Sequence, residues 1–140
     1  MIIAFGDDTT VSVWQALEDI QREYEGIDVE GESFSFYSDD GVWLEPVFLR
    51  PNRRGRILGF IPWIESGVFT LEPRPERTDR PIWRAFAEHP NPGQIGPFRS
   101  VAALRAHVAT RGAMVEPASP GPPARTDDDG RNRIGRKSDL

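Results

Sequence analysis

Hydrophobic residues in the first part of the chain follow a helical period after one short apolar run. The run at residues 2–5 ends at Gly6 and predicts a short strand. Apolar residues then recur at the spacing of one helix face, at Val13, Trp14, Leu17, Ile20 and Tyr24. Charged residues fall between them, so the pattern predicts an amphipathic helix. Ser12 and Gln15 resemble a capping box at its start, and Gly26 is placed to end it.

The middle of the chain alternates between apolar and polar positions, which predicts an antiparallel meander. Residues 33–37 show this period clearly, and the turn sequence 38–41 follows, with a glycine at the left-handed position. Further strands are predicted at 42–49, 56–64 and 68–71, separated by turns at 51–55 and 65–67. Proline cannot donate to a strand ladder, so Pro46 predicts an edge position or a bulge within its strand.

Two helices are predicted in the sequence that follows. Asp79 and Pro81 favour the start of a short helix. Its apolar face comprises Ile82, Trp83 and Phe86. Ser100 is the expected N-cap of the second helix, which Gly112 ends. The apolar stripe of that helix comprises Val101, Leu104 and Val108.

These elements predict an α+β fold. We expect an antiparallel meander sheet of three to five strands, with an N-terminal helix and one or two C-terminal helices packed on one face. All fourteen aromatic residues lie between Phe5 and Phe98. Residues 113–140 contain four large apolar residues, too few to offset the entropy of ordering. The prediction is therefore a single domain at 1–112 and a disordered tail at 113–140.

Composition excludes several classes of protein. Cysteine is absent, so the chain has no disulfide, no thiolate nucleophile and no cysteine-bound metal. No stretch approaches the roughly eighteen apolar residues of a membrane span, and no basic segment precedes the short apolar N-terminus. We therefore expect a cytoplasmic protein without a membrane partner. Arginine outnumbers lysine by sixteen to one, a bias that a GC-rich bacterial or phage genome produces without any function.

Charge is sorted along the chain. Residues 1–49 hold twelve carboxylates against one base, Arg22, whereas the remaining residues hold ten acids and sixteen bases. Such sorting favours a charged partner or an internal match of opposite charges. We expect a protein partner with a basic surface, and the predicted contact residues are Glu18, Asp19, Glu23, Asp39 and Asp40. A solvated helix face and a turn that happens to use aspartate explain the same residues without a partner.

A cluster of arginines at 50–56 is a second candidate site. On a hairpin loop, Arg53, Arg54 and Arg56 could contact an anion or a single-stranded nucleic acid. The stacking platforms would be Trp43, Phe48, Phe60 and Trp63, few of which we expect to be exposed. The acidity of the whole chain argues against a nucleic-acid module, and arginines also protect the edges of sheets from pairing.

The two histidines are the remaining candidates for catalysis. A small hydrolase would use Glu88, His89 or His107 with a group brought close by folding. The candidate partner groups are Ser66, Ser100 and Asp79. No nucleophile-elbow, phosphate-loop, dinucleotide or zinc-site spacing occurs, and neighbouring carboxylates point in different directions on a helix or strand. We predict no catalytic residue, no metal and no cofactor.

Size and charge together predict a small, acidic, non-catalytic binding protein that blocks or escorts a macromolecular partner. Bacterial immunity proteins, antitoxins and phage-encoded inhibitors are of this kind. The alternatives are a nucleic-acid-associated protein that uses the loop 50–56 and a small hydrolase that uses Glu88, His89 or His107. The sequence identifies neither the partner nor the oligomeric state.

Overall fold

The computed structural model describes residues 1–112, which contain eight strands and four short helices. The predicted disordered tail, residues 113–140, lies outside the described residues. The strands are β1 (Ile2–Gly6), β2 (Thr10–Trp14), β3 (Phe34–Ser38), β4 (Trp43–Arg50), β5 (Arg53–Ile57), β6 (Ile61–Glu65), β7 (Val68–Pro73) and β8 (Asn91–Pro92). The helices are α1 (Leu17–Glu23), α2 (Gly26–Glu30), α3 (Ile82–Glu88) and α4 (Val101–Thr110). None of these helices has the length and apolar content needed to cross a bilayer.

Six of the strands form one mixed sheet in the order β7-β4-β3-β1-β2-β8. Neighbouring strands run antiparallel, except for β2 and β8, which run parallel over two residue pairs. β5 and β6 form a separate two-stranded sheet between β4 and β7 in the sequence. The predicted α+β fold, a sheet with helices packed on it, is confirmed, and the sheet is larger than the predicted meander.

Alternating side chains build two cores, one on each face of the sheet. On β1, Ile3 and Phe5 face the first core, whereas Ala4 faces the second. α3 and α4 cover the first core with Ile82, Ala85, Phe86, Leu104 and Val108. α1 and α2 cover the second core with Ile20 and Val29. The described residues therefore form three layers, and the prediction that the helices share one face is wrong.

The predicted first helix is the largest correction. Thr10–Trp14 forms β2, between β1 and β8, and the helix begins only at α1. Val11, Ser12 and Val13 are all buried, because this strand is covered on both faces. β-branched residues in alternation favour a strand, but Val13 and Trp14 fit a helical period equally well. The pairing with β1 decides between the two patterns.

The helical segment after β2 is divided into α1 and α2, and Gly26 begins the second helix instead of ending the first. A Cβ added at Gly26 would lie 2.8 Å from the carbonyl oxygen of Gly67. Glycine is therefore required at this position because the backbone of α2 closely approaches the start of β7.

β3 and β4 separate at Pro46. Their pairing ends with Phe36 opposite Leu44, and two positions further on the same register would place Phe34 opposite Pro46. Because proline has no N–H to donate, the ladder cannot continue through this position, and beyond Leu44 β4 pairs only with β7. The predicted edge position is confirmed in this local form.

The starts of the last two helices differ in how well the sequence predicts them. Ser100 is the N-cap of α4, and its hydroxyl accepts a hydrogen bond of 3.1 Å from the Ala103 N–H, as predicted. The N-cap of α3 is Pro81, without a side-chain cap. Asp79, the predicted cap, instead accepts two hydrogen bonds from the Arg77 guanidinium, at 2.9 and 3.2 Å.

Leu104 anchors α4 to the sheet with a fully buried side chain. We expect Leu104→Ala to lower the free energy of unfolding by about 2–5 kcal/mol, because a cavity replaces the lost side chain. Urea denaturation followed by circular dichroism measures this change. Ala102→Ser, on the exposed side of the same helix, is the matched control and should change the value by less than about 0.5 kcal/mol. Equal effects of the two substitutions would contradict the packing of α4 on the first core.

Candidate functional site

The segment predicted as one strand at 56–64 forms most of a β-hairpin, and this hairpin is not part of the main sheet. β5 and β6 pair from Arg53 opposite Glu65 to Ile57 opposite Ile61, and we call residues 53–65 the arm. The prediction of a turn at 51–55 and a strand at 56–64 is therefore wrong. The apolar residues around the actual turn concealed it, and Gly59 is the single turn signal in the sequence.

The arm carries the exposed apolar surface of the described chain. All eight large hydrophobic residues that are exposed in residues 1–112 lie on the arm or at its two roots. They are Leu49, Ile57, Leu58, Phe60, Ile61, Trp63, Ile64 and Val68. The roots are residues 49–52 and 66–68, through which the arm joins β4 and β7. Exposed apolar side chains concentrated in one segment are typical of an interaction site, whereas exposed apolar residues that are scattered singly are not. The expectation that few of the listed aromatic residues are exposed is wrong for Phe60 and Trp63, which are 71% and 38% exposed.

The tip of the arm, residues 58–60, is strained as well as exposed. Leu58 has φ 55° and Gly59 has φ 77°, the left-handed region that glycine and asparagine favour over leucine. Leu58 is also 79% exposed, so its side chain contributes no packing that would compensate. Neither backbone conformation nor core packing accounts for a leucine at this position. Strain of this kind is concentrated at functional sites.

Trp63 gives the arm an internal contact. Its indole ring lies over Gly55, the residue opposite it in the hairpin. A Cβ at Gly55 would lie 2.3 Å from the indole Nε1, so only glycine leaves room for the ring. An isolated two-stranded hairpin is marginally stable in water, and this cross-strand contact supports it.

Asn52 fastens the roots of the arm to α2. Its side-chain amide donates to the Gly26 carbonyl at 3.0 Å and to the Glu30 carboxylate at 2.9 Å. Its side-chain carbonyl accepts from the Gly67 N–H at 2.6 Å, so one residue bridges both roots and the helix. Arg54 adds an ion pair of 2.8 Å to Glu30.

The contacts that Glu30 makes with Asn52 and Arg54 depend on pH. The hydrogen bond from Asn52, followed by the charge of Arg54, holds the pKa of Glu30 below its ordinary value. The stabilisation is therefore present above the pKa of the unfolded carboxyl group and is lost as the pH falls through the lower folded value. At neutral pH the attachment is intact.

The predicted arginine cluster is divided by these contacts. Arg54 is engaged by Glu30, whereas Arg50, Arg53 and Arg56 form no ion pair within residues 1–112. Arg53 and Arg56 therefore leave positive charge on the arm, beside its apolar side chains, and Arg50 lies just before the arm at the end of β4.

The predicted acidic surface is also divided. Glu18, Asp19 and Glu23 lie together on α1, over the second core. Asp39 lies 3.2 Å from the guanidinium of Arg111, the residue that follows α4, and α4 covers the first core. Asp40 accepts a hydrogen bond from the Ser38 hydroxyl in the same β3–β4 turn. The structure thus groups three of the five predicted residues and separates the other two from them.

The candidate hydrolase residues are brought together only in part. Glu88 and His89 line a cavity of about 290 Å³ together with Asp79, one of the predicted partner groups, and with Tyr37. Burial raises the pKa of Tyr37 to about 12, so this phenol is neutral at physiological pH. His107 is elsewhere, with its ring beside Phe98 and its Nε2 3.9 Å from Asp39.

The three predicted partner groups have other roles. The Ser66 hydroxyl donates to Glu25 at 3.3 Å, Ser100 caps α4, and Asp79 binds Arg77. Across residues 1–112, no group of three or more acidic or histidine side chains is arranged to hold a metal ion.

Comparison with protein-family models finds no match, and comparisons with curated proteins and with solved structures find none either. The geometry of the arm and its surroundings therefore carries the functional argument.

Asn52→Ala should release the base of the arm, because the Gly26 carbonyl and the Glu30 carboxylate each lose a donor and the Gly67 N–H loses its acceptor. We expect the free energy of local opening to fall by about 1–3 kcal/mol. Hydrogen exchange should accelerate for amides of β5 and β6 and stay unchanged in β1 and β3. Asn91→Ala, which removes a 2.8 Å side-chain hydrogen bond to Thr9 remote from the arm, is the control. Unchanged exchange in the arm would contradict the role of Asn52.

Proposed function

We propose that this protein is a binding protein that blocks or escorts a macromolecular partner, and that the arm is its principal contact. The observation that carries the proposal is that all the exposed large apolar side chains of residues 1–112 lie on the arm and its roots. Covering one such side chain is worth about 1.5–3 kcal/mol, so a partner that receives the tip gains most of its affinity there. Phe60 and Trp63 are the aromatic anchors expected at the centre of an interface.

The acidic face of α1 supports a partner whose basic surface adjoins an apolar groove. Gln21 of α1 donates a hydrogen bond to the Phe69 carbonyl, which places this helix next to the start of β7, where the arm ends. α1, the helix that carries Glu18, Asp19 and Glu23, therefore lies beside the strand at which the arm returns to the sheet. Carboxylates at that position would steer a basic protein toward the arm and raise its association rate more than its affinity.

Leu58→Asn separates binding from folding. Asparagine adopts positive φ more readily than leucine, so we expect stability to be unchanged or higher by about 1 kcal/mol. Loss of the apolar tip should weaken partner binding at least about tenfold, which corresponds to roughly 1.4 kcal/mol. Affinity capture from the host identifies the partner with the natural chain, and titration then compares the variants.

Glu32→Asn is the matched control, because Glu32 has nearly the same backbone conformation at φ 56° but lies away from the arm. It should give a similar change in stability and leave binding unchanged. A Leu58→Asn protein that binds its partner as well as the natural chain would refute the arm as the contact surface.

A nucleic-acid partner is the second candidate, favoured by one observation. Arg53 and Arg56 form no ion pair within the described residues and lie on the same hairpin as the exposed rings of Phe60 and Trp63. Cationic side chains beside exposed rings suit single-stranded nucleic acid.

This candidate predicts that the chain binds a single-stranded oligonucleotide with an affinity that falls steeply between about 50 and 200 mM salt. Replacing both Arg53 and Arg56 with glutamine should reduce the salt slope by about two, as expected for two lost phosphate contacts. Gel-shift titration measures both effects. An oligonucleotide that fails to shift even at low salt removes this candidate.

A further inference from the structure

The main sheet has a gap between β3 and β4, where one main-chain acceptor loses its ladder partner. The Ser38 N–H donates to the Val42 carbonyl at 2.9 Å, so every second residue of β3, counted back from Ser38, directs its main-chain groups toward β4. Phe34 is the last of these residues, and the register would place Pro46 opposite it. Because proline has no N–H, β4 cannot supply a hydrogen bond to the Phe34 carbonyl.

A cavity of about 270 Å³ lies at this gap, and its aromatic walls are Phe34, Trp43 and Phe48. Trp43 is 8% exposed, and its indole N–H is buried without a hydrogen-bond partner among residues 1–112. Buried polar groups in folded proteins nearly always have a partner, so a donor of this kind calls for one. The residues around the cavity therefore include a donor and an acceptor that the fold itself leaves unsatisfied.

Arg80 covers the Trp43 ring without being fixed there by an ion pair. Its guanidinium carbon lies 4.9 Å from the centre of the ring. The Arg80 side chain is exposed and forms no ion pair within residues 1–112, and exposed side chains change rotamer on a fast timescale. Arg80 can therefore move aside when a ligand approaches the edge of the indole.

The charged side chains around the cavity favour a neutral ligand. Three of the five already have partners of opposite sign. These three are Glu30, Glu45 and Arg77, and their partners are Arg54, Arg74 and Asp79. The other two, Glu32 and Arg80, are exposed and carry opposite charges. A charged ligand would lose its hydration here without gaining a buried counter-charge, whereas a neutral polar group loses much less.

We propose that this cavity binds a small, neutral aromatic amide. The ring of the ligand packs against the aromatic walls, the amide oxygen accepts from the Trp43 N–H, and the amide N–H donates to the Phe34 carbonyl. An amide carries both an acceptor and a donor on one planar, uncharged group. The volume is slightly below that of cavities for drug-sized ligands, so it suits a compound of one or two rings. The site is separate from the exposed side chains of the arm and does not depend on the proposed function.

NMR titration of the full natural chain with benzamide tests the site. The chain has four tryptophans and therefore four indole N–H signals. We expect the Trp43 signal to shift until it saturates, whereas the signals of Trp63 and Trp83, which lie outside the cavity, stay in place. Benzoate lacks the N–H donor and is charged, and toluene lacks both polar groups. Each should bind at least about tenfold more weakly than benzamide, because it leaves buried groups of the site unpaired.

Trp43→Phe keeps an aromatic wall and removes the N–H, so the affinity for benzamide should fall at least about fivefold. Trp83→Phe makes the same substitution outside the cavity and should leave that affinity unchanged. If Trp43→Phe does not fold, the natural chain decides, and the edge-to-face contact with Tyr37 identifies the Trp43 signal. A Trp43 signal that benzamide leaves in place, toluene that binds as tightly as benzamide, or a folded Trp43→Phe protein with unchanged affinity overturns the proposed site.

Discussion

The burial of β1 on both faces is the constraint on which the rest of the fold depends. β1 lies between β2 and β3, and Ile3, Ala4 and Phe5 are all 1% exposed or less. A strand buried on both sides requires a covering layer on each face, so the helices are divided between the two cores. Large apolar residues within the three layers are used internally. Those that stay exposed in the described chain are confined to the arm and its roots.

Polar contacts hold the arm in position, whereas its tip exposes apolar side chains. β4 and β7 pair along most of their length, and the chain leaves the sheet after the first and returns at the second. Asn52 binds both roots and α2 at that junction, while Trp63 on Gly55 supports the hairpin further out. The polar groups that attach the arm are thus different from the apolar side chains at its tip, whereas Trp63 both supports the hairpin and is partly exposed. Covering the tip therefore leaves the hydrogen bonds of Asn52 in place.

The sequence predicts the structure of a segment well when only one periodicity, that of a strand or that of a helix, fits it. It predicts poorly when both fit. The strand predicted at 33–37 and the last helix each follow one period with clear end signals, and they are found as β3, one residue further along at Phe34–Ser38, and as α4. Val13 and Trp14 fit a strand and a helix alike, and only pairing with β1 resolves them. The sequence does not predict the arm, because its apolar run resembles a core strand. The turn at Gly59 and the path of the chain are what separate it from the core. Exposure of the tip is a property of the fold that no local pattern encodes.

The sorting of charge along the sequence is only partly preserved in space. The carboxylate of Asp39 is paired with Arg111 and that of Glu30 with Arg54, so part of the sorting is an internal match of opposite charges. Asp19 likewise lies 3.5 Å from Arg22 within α1, whereas Glu18 and Glu23 on α1 and Arg53 and Arg56 on the arm form no ion pair within residues 1–112. Charge at these positions selects orientation and approach, whereas the apolar tip supplies the affinity, because screening by salt weakens the first and leaves the second. At high salt, an interface built on the apolar tip of the arm would accordingly form more slowly but persist. An interface built on the arginines of the arm alone would dissociate.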